Sequence, residues 1–362
     1  MKVGIIGLPN AGKSTLFNAL MKKQVADMAP YPFCTIEPNV GVVSVPDERL
    51  EKIAQITRDE ENMDKVPQIV PAIIEFVDIA GLVKGASVGE GLGNKFLSHI
   101  REVDIICHVV RLFEDSSVVH GSDVIDPVED IKTVETELIL ADLQTLDKQA
   151  EPKGYTAQTD KDQKLRWELI CKLKDGLNQG KKATDVLTSS GDIELVKSLH
   201  LLTFKPTEYV LNASEQQLNN KIDCQKIIGK ECLVVSAKTE LELVALDQKD
   251  QVEYLKELGL KASGLDRLIR KSYQTLELIS FLTCNKNQVH AWTIKIGTKA
   301  QNAAGVVHTD FEKNFIVADT ISFDNFTKYG GWKKCRLLGK VRQEGREYIV
   351  SDGDLMDFKA GK

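Results

Sequence analysis

Nine consecutive residues near the start of the chain carry the most specific chemistry, Gly7-Leu8-Pro9-Asn10-Ala11-Gly12-Lys13-Ser14-Thr15. They satisfy G-x-x-x-x-G-K-[ST] at every required position, between an apolar run, Lys2–Ile6, and a helical stretch that begins at Thr15. That context makes the motif a phosphate-binding loop: the glycines let backbone N–H groups converge on phosphate oxygens, and the helix N-terminus adds positive potential. Asn10, Ala11, Gly12, Lys13, Ser14 and Thr15 are the expected phosphate cradle. Lys13 is expected to reach the β- and γ-phosphates and act in hydrolysis, and the Ser14 hydroxyl to ligate Mg²⁺. Asp78-Ile79-Ala80-Gly81 closes another apolar run, Ile73–Asp78, as D-x-x-G. Asp78 would hold Mg²⁺ through water, and the Gly81 amide would contact the γ-phosphate. Thr35 lies in the proline-broken stretch Ala29–Pro38, where a switch threonine would add a hydroxyl to the metal and an amide to the γ-phosphate.

The attacking water and the base are read elsewhere. Related switch GTPases place a water-orienting Gln directly after D-x-x-G; here that residue is Leu82, so hydrolysis is slow or uses another group. His120 ends a polar loop, Glu114–His120, and is either able to approach the γ-phosphate or an ordinary surface histidine. His108 lies inside an apolar strand and reads as a core residue. The base-reading elements of GTPases, N-K-x-D and S-A-K, have counterparts in Asn212-Ala213-Ser214-Glu215 and Ser236-Ala237-Lys238. The Asp of N-K-x-D accepts bonds from guanine N–H groups, and adenine presents an acceptor there instead. Ala213 in place of Lys and Glu215 in place of Asp weaken guanine selection and favour adenine, with Glu215 turned away. Asn212, Ala213 and Ser236 are the residues expected to line the base.

Strands are expected at Val40–Val45, Ile73–Asp78, Ile105–Val110, Lys205–Leu211 and Cys232–Val235, with helices after the first loop and at Arg49–Thr57. From Pro127 the pattern turns helical: Ile131, Val134, Leu138 and Leu146, then a polar break at Glu151–Gln163, then Leu165, Leu169, Leu173 and Leu177. This predicts an antiparallel helical hairpin that ends in a linker near Ser189–Asp192. Gly259–Leu276 reads as a last amphipathic helix region. Beyond it, Phe281–Ile296 and Phe315–Phe323 alternate like strands, and Tyr348–Asp354 reads as a strand and a turn, forming a separate α+β domain. Lys286, Lys295, Lys299, Lys313, Lys333, Lys334 and Arg336 make that domain locally basic, which fits either RNA contact or a solvated lysine face.

The 362 residues carry a net charge of −6, which argues against a general polyanion binder. No apolar run approaches the ~20 residues of a membrane span, and Val3–Ile6 is too short for a secretory signal, so a cytoplasmic location is expected. The seven cysteines contain no C-x-x-C pair, which predicts reduced thiols rather than a zinc site or a disulfide framework.

Taken together, Gly-Leu-Pro-Asn-Ala-Gly-Lys-Ser, Pro-Phe-Cys-Thr-Ile-Glu-Pro-Asn, Phe-Val-Asp-Ile-Ala-Gly-Leu-Val-Lys-Gly-Ala and Gly-Glu-Gly-Leu-Gly-Asn resemble the YchF subfamily of Obg-like ATPases. Asn212–Glu215 fits its N-x-x-E, while Ala291–Ile294, His308–Lys313 and Asp352–Asp354 are similar to its TGS domain. The resemblance implies an α/β P-loop NTPase domain (1–126 and 201–278), an inserted helical hairpin (127–200) and a C-terminal α+β domain of the β-grasp type (279–362). It further implies ATP as the substrate, Mg²⁺ at Ser14, Thr35 and Asp78, room for a monovalent cation, and His120 as the catalytic candidate. The ribosome, through its large subunit and ribosomal RNA, is the implied partner, with no membrane and no DNA specificity. A GTPase of the Obg class, or a nucleotide-gated binding module with incidental turnover, remains open as an alternative.

Overall fold

The computed structural model describes residues 1–27, 39–79, 92–113, 125–152, 160–218, 220 and 222–361. It divides into two compact units, one of residues 1–26, 35–41 and 75–265, the other of 27–34, 42–74 and 266–362. Residues 42–74, expected within the nucleotide domain, are thus grouped with the C-terminal part of the chain.

The strands are β1 (Lys2–Ile6), β2 (Val40–Ser44), β3 (Gln68–Val70), β4 (Ile73–Asp78), β5 (Ile105–Arg111), β6 (Thr207–Asn212), β7 (Cys232–Val235), β8 (Leu278–Cys284), β9 (Gln288–Lys295), β10 (Phe315–Ser322), β11 (Arg342–Glu344) and β12 (Asp354–Ala360). The first sheet has the order β2-β4-β1-β5-β6-β7. Strands β4, β1, β5, β6 and β7 run parallel, with Ile5 opposite Asp78 and Arg111 opposite Asn212. All seven residues of β5 are buried, as a strand covered on both faces requires. His108 sits inside it, as expected of a core histidine.

Three helices flank this sheet's loops: α1 (Lys13–Asp27), α3 (Leu92–Glu102) and α4 (Pro127–Asp147), while α2 (Arg49–Glu60) belongs to the other unit. Helix α4 starts where it does because Asp126 accepts from the Val128 and Glu129 N–H groups and Pro127 occupies the first helical position. Its 21 residues span about 32 Å. One side joins Phe96, Leu97 and Ile100 over the sheet through Val134 and Leu138. Farther along, Ile139 and Leu146 form a separate core with Leu169, Leu173 and Leu177 of α5 (Asp160–Asn178). This is the inserted hairpin, each fully buried leucine of which contributes about 1.5–3 kcal/mol. Leu165 departs from the expected stripe and is exposed. The linker expected near Ser189–Asp192 is instead a short helix, Ser190–Val196, whose Val196 completes the hairpin core.

The second sheet is a mixed, β-grasp arrangement with the order β11-β10-β12-β8-β9-β3. Its core is Phe281, Ile294, Ala300, Ala303, Ala304, Phe315 and Met356. The final strand lies after the turn at Gly353, not before it: Tyr348–Val350 makes only an isolated bridge, Lys299 to Ile349. Asp352-Gly353-Asp354 builds that turn. Asp352 accepts from the Ser280 N–H (2.9 Å) and Arg49 (2.7 Å), and Asp354 from the Tyr348 hydroxyl (2.7 Å) and the Ser351 N–H (2.9 Å). The segment 42–74 is built into this unit. Its β3 pairs in parallel with β9, and the Glu60 carboxylate at the end of α2 accepts from the Lys333 N–H (2.6 Å) and Trp332 N–H (3.1 Å). Those N–H groups open the helix Trp332–Leu337, so Glu60 caps it from outside.

The expectation of reduced thiols fails at one place: Cys224 and Cys232 form a disulfide. The turn at left-handed Gly229 brings the start of the helix Cys224–Ile228 beside the start of β7, a proximity that sequence spacing does not reveal. Cys34 lies outside the described residues. No helix among the described residues is long and apolar enough to cross a membrane.

Candidate functional site

Parallel strands end together, so the loops at their carboxyl ends share one crevice. Here β1 delivers residues 7–12, β4 delivers Asp78, β5 delivers Phe113, β6 delivers Asn212–Gln217 and β7 delivers Ser236–Thr239.

The first loop depends on missing side chains. A Cβ on Gly7, at φ +149°, would lie 2.3 Å from the Val109 carbonyl oxygen, and one on Gly12, at φ +94°, would lie 2.0 Å from Asn212 Nδ2. Asn10 adopts the left-handed region at φ +63°, which asparagine tolerates better than most residues. Lys13 is buried, and its Nζ donates to the Leu8 carbonyl at 2.7 Å, closing the loop on itself. Burial lowers the pKa of Lys13 and the Asp78 charge pulls it back up. Burial likewise raises that of Asp78, opposed by Lys13. Ser14 is exposed on the first turn of α1, and Thr15 faces the crevice.

Asn212 joins the phosphate loop to the base loop. Its Nδ2 donates to the Ala11 carbonyl (2.9 Å), and its Oδ1 accepts from the Ala237 N–H (3.0 Å). Each bond satisfies a buried backbone group, so the asparagine is worth more than its own contacts. Ala213 is buried, with its N–H on the Val235 carbonyl (2.8 Å). Ser236 caps the helix Ala237–Leu243, with its Oγ accepting from the Thr239 N–H (3.3 Å) and hydroxyl (2.9 Å). Between these loops opens a cavity of about 920 Å³, lined by Gly12, Thr15, Phe113, Ala213, Glu215 and Ser236 among others, ample for a nucleoside.

Two wall residues, Phe113 and Gln217, were not anticipated from sequence. Phe113 follows β5, its carbonyl accepts from Arg111 Nε (3.1 Å), and the guanidinium lies 4.6 Å from the ring centroid. Gln217 accepts from the Ser214 N–H (2.8 Å) and donates to the Leu112 carbonyl (3.1 Å), bracing one wall against the other. Glu215 accepts a hydrogen bond from the Tyr254 hydroxyl, whose pKa is raised by burial and then by this carboxylate. The only sequence signal for these was position: Arg111 is the strand residue opposite Asn212.

The structure therefore brings together Asn10, Ala11, Gly12, Lys13, Ser14, Thr15, Asp78, Asn212, Ala213 and Ser236 on loops at one end of one sheet. Thr35, Gly81, Leu82 and His120 lie outside the described residues.

Two family models match the chain. One, described as the 50S ribosome-binding GTPase family, covers residues 2–142. The other, the YchF-GTPase C-terminal family, described as a protein of unknown function, covers 278–361. The chain is 45% identical to a Bacillus subtilis protein named ribosome-binding ATPase YchF, over 99% of each chain. It is 44% identical to the Escherichia coli O157:H7 protein of that name, over 99% of this chain and 98% of the other. It is 39% identical to Obg-like ATPase 1 of Caenorhabditis elegans, over 99% and 92%. Among solved structures, the Schizosaccharomyces pombe YchF GTPase superposes with a TM-score of 0.87 at 35% identity, covering 99% of this chain and 97% of that one.

Proposed function

The chain belongs to the YchF family, and from that premise we propose that it is an Mg²⁺-dependent ATP hydrolase that changes state on the ribosome. The observation that carries this reading is Asn212, which ties the phosphate loop at Ala11 to the base loop at Ala237. One side chain thereby orders both halves of a nucleotide site.

Adenine is the favoured base. The position where a GTPase carries Lys is the buried Ala213, and Glu215 is engaged by Tyr254 rather than committed to guanine N–H groups. Gly12, Lys13, Ser14 and Thr15 hold the phosphates, with Lys13 neutralising charge that builds on them in the transition state. The donor set suits Mg²⁺. The Ser14 hydroxyl, on the first turn of α1, and the Asp78 carboxylate, at the end of β4, are hard oxygens, and Thr35 would supply a third. Mg²⁺ held there would supply Lewis-acid stabilisation of the charge on the phosphoryl oxygens. Leu82 cannot orient water, so His120 takes that role.

The names of the relatives support the ribosome as partner, and the match to the 50S-binding family supports its large subunit. Contact with ribosomal RNA and a cytoplasmic location complete the reading. Competition titration should give tighter binding of ATP than GTP; a tenfold preference for GTP, about 1.4 kcal/mol, would overturn the adenine assignment. His120→Ala should slow single-turnover hydrolysis with ATP affinity nearly unchanged. Leu82 also favours a second reading, in which occupancy gates ribosome docking and turnover is incidental. Single-turnover rates that ribosomes leave unchanged would favour it.

A further inference from the structure

The basic residues of the C-terminal unit fall into two groups. Lys286 and Lys333 both pair with Glu61 (3.0 and 2.7 Å), Lys299 pairs with Glu347, and Arg336 with Asp319 and Asp357 (3.3 and 3.4 Å). Lys328, Lys334 and Lys340 make no ion pair with a described residue, and the three lie together. Lys328 and Lys340 sit 5.4 and 5.8 Å from the ring centroid of Tyr329, and Lys334 Nζ lies over Gly330, 3.6 Å from where a Cβ would be.

The same turn displays two adjacent leucines, Leu337 at 86% exposure and Leu338 at 55%. Helix Trp332–Leu337 buries Cys335 completely, so its inward face is already filled. Its end is locked by a Schellman motif: the Lys340 N–H donates to the Cys335 carbonyl (2.9 Å) and the Gly339 N–H to Arg336 (3.1 Å), with Gly339 at φ +61°. Single exposed aliphatics, such as Ile296 or Ile316, are ordinary on any protein. A leucine pair on a rigid turn, bordered by three unneutralised lysines on a chain of net charge −6, has the apolar centre and polar rim of a protein interface. Leucine gives nothing to a phosphate and cannot stack on a base, so the apolar centre sets this face apart from an RNA-tracking one.

We propose that the turn Tyr329–Lys340 is a docking surface for an acidic protein segment with an apolar side chain, presented by the ribosome. This rests on the ribosome-binding reading above, and its test separates the two. The full chain is cosedimented with purified ribosomes in a non-hydrolysable ATP analogue, as wild type, as Leu337→Ser with Leu338→Ser, and as Lys334→Glu with Lys340→Glu. In parallel, a diazirine amino acid replaces Leu338 and is photolysed on the ribosome. The expected result is at least a fivefold loss of affinity in each double variant, unchanged ATP turnover without ribosomes, and a protease-sensitive adduct to an acidic ribosomal protein. Wild type that fails to cosediment in any nucleotide state overturns the ribosome reading and this proposal with it. Wild type that binds, with double variants affected less than fivefold or with an adduct to RNA, overturns the docking surface alone.

Discussion

Strands β5 and β6 have a polar cluster packed against each end, and the two clusters behave oppositely. At the carboxyl ends, Asn212, Ala213 and Ser236 surround a cavity. Near the amino ends, Glu135 Oε1 accepts from Lys182 (2.7 Å), Lys230 (2.6 Å) and the Tyr209 hydroxyl (2.5 Å), with the His108 ring tilted against Tyr209 at 5.8 Å between centroids. Burial raises the Glu135 pKa, but the bonds from Lys182, Lys230 and Tyr209 outweigh it and hold it down at about 2. This second cluster has more charge and larger pKa shifts, yet its groups are spent on one another. The first has few charges, spends its side chains on backbone, and borders a cavity of about 920 Å³, against about 370 Å³ beside Lys182, Tyr209 and Lys230. Perturbed titration marks structural networks as readily as sites, and here it is the size of the cavity, not the charge, that separates them.

The comparison breaks first at Gly12. Gly12→Val forces a side chain into Asn212 and should weaken ATP binding by more than about 100-fold, measured by calorimetry, a larger effect than the accompanying fall in the urea midpoint from strain at φ +94°. At the opposite end, Glu135→Gln should do the reverse: a loss of about 2 kcal/mol in urea unfolding, from leaving Lys182 and Lys230 underpaired, with ATP affinity unchanged. A carboxylate held low stabilises the fold above its unfolded pKa near 4.5, and this stability disappears as pH falls from there toward 2; the variant should lose that part of the acid profile. Asn212→Ala should weaken ATP binding about tenfold, close to 1.4 kcal/mol, because both loops lose their shared anchor. A change under twofold would demote Asn212 to a structural residue. The smallest effect belongs to His108. Burial holds it near pKa 3, so it stays neutral in the fold while the unfolded chain protonates below about 6.5. Its share of the stability should fall by about 1 kcal/mol between pH 6.5 and 5.5, and His108→Leu should flatten that slope without altering nucleotide binding.

Sequence was most informative where function is local. The strand–loop–helix around Gly7–Thr15, Asp78 at a strand end, and Asn212 with Ser236 after two apolar runs all lie where their spacing implied, because each is set by a short stretch of backbone. What escaped were relations across the chain. Phe113 and Tyr254 acquire meaning only from what stands opposite them. The lysines at 286, 299 and 333 are visible as charges, but their neutralisation by Glu61 and Glu347 is not. The Cys224–Cys232 bond depends on one left-handed glycine.

The pairing of β3 with β9 sets a timetable for synthesis. Gln68 finds its partner at Gln288, about 220 residues later, which at the usual pace of elongation is roughly 10–40 s. During that interval the nucleotide loop and its strands can assemble, but α2 and β3 wait without the sheet they complete. The C-terminal unit is therefore not an appendage that folds by itself once the rest is made. It closes around a segment made roughly 10–40 s earlier, and a chain cut short before β8 would leave that segment with an unpaired edge and Glu60 with no helix to cap.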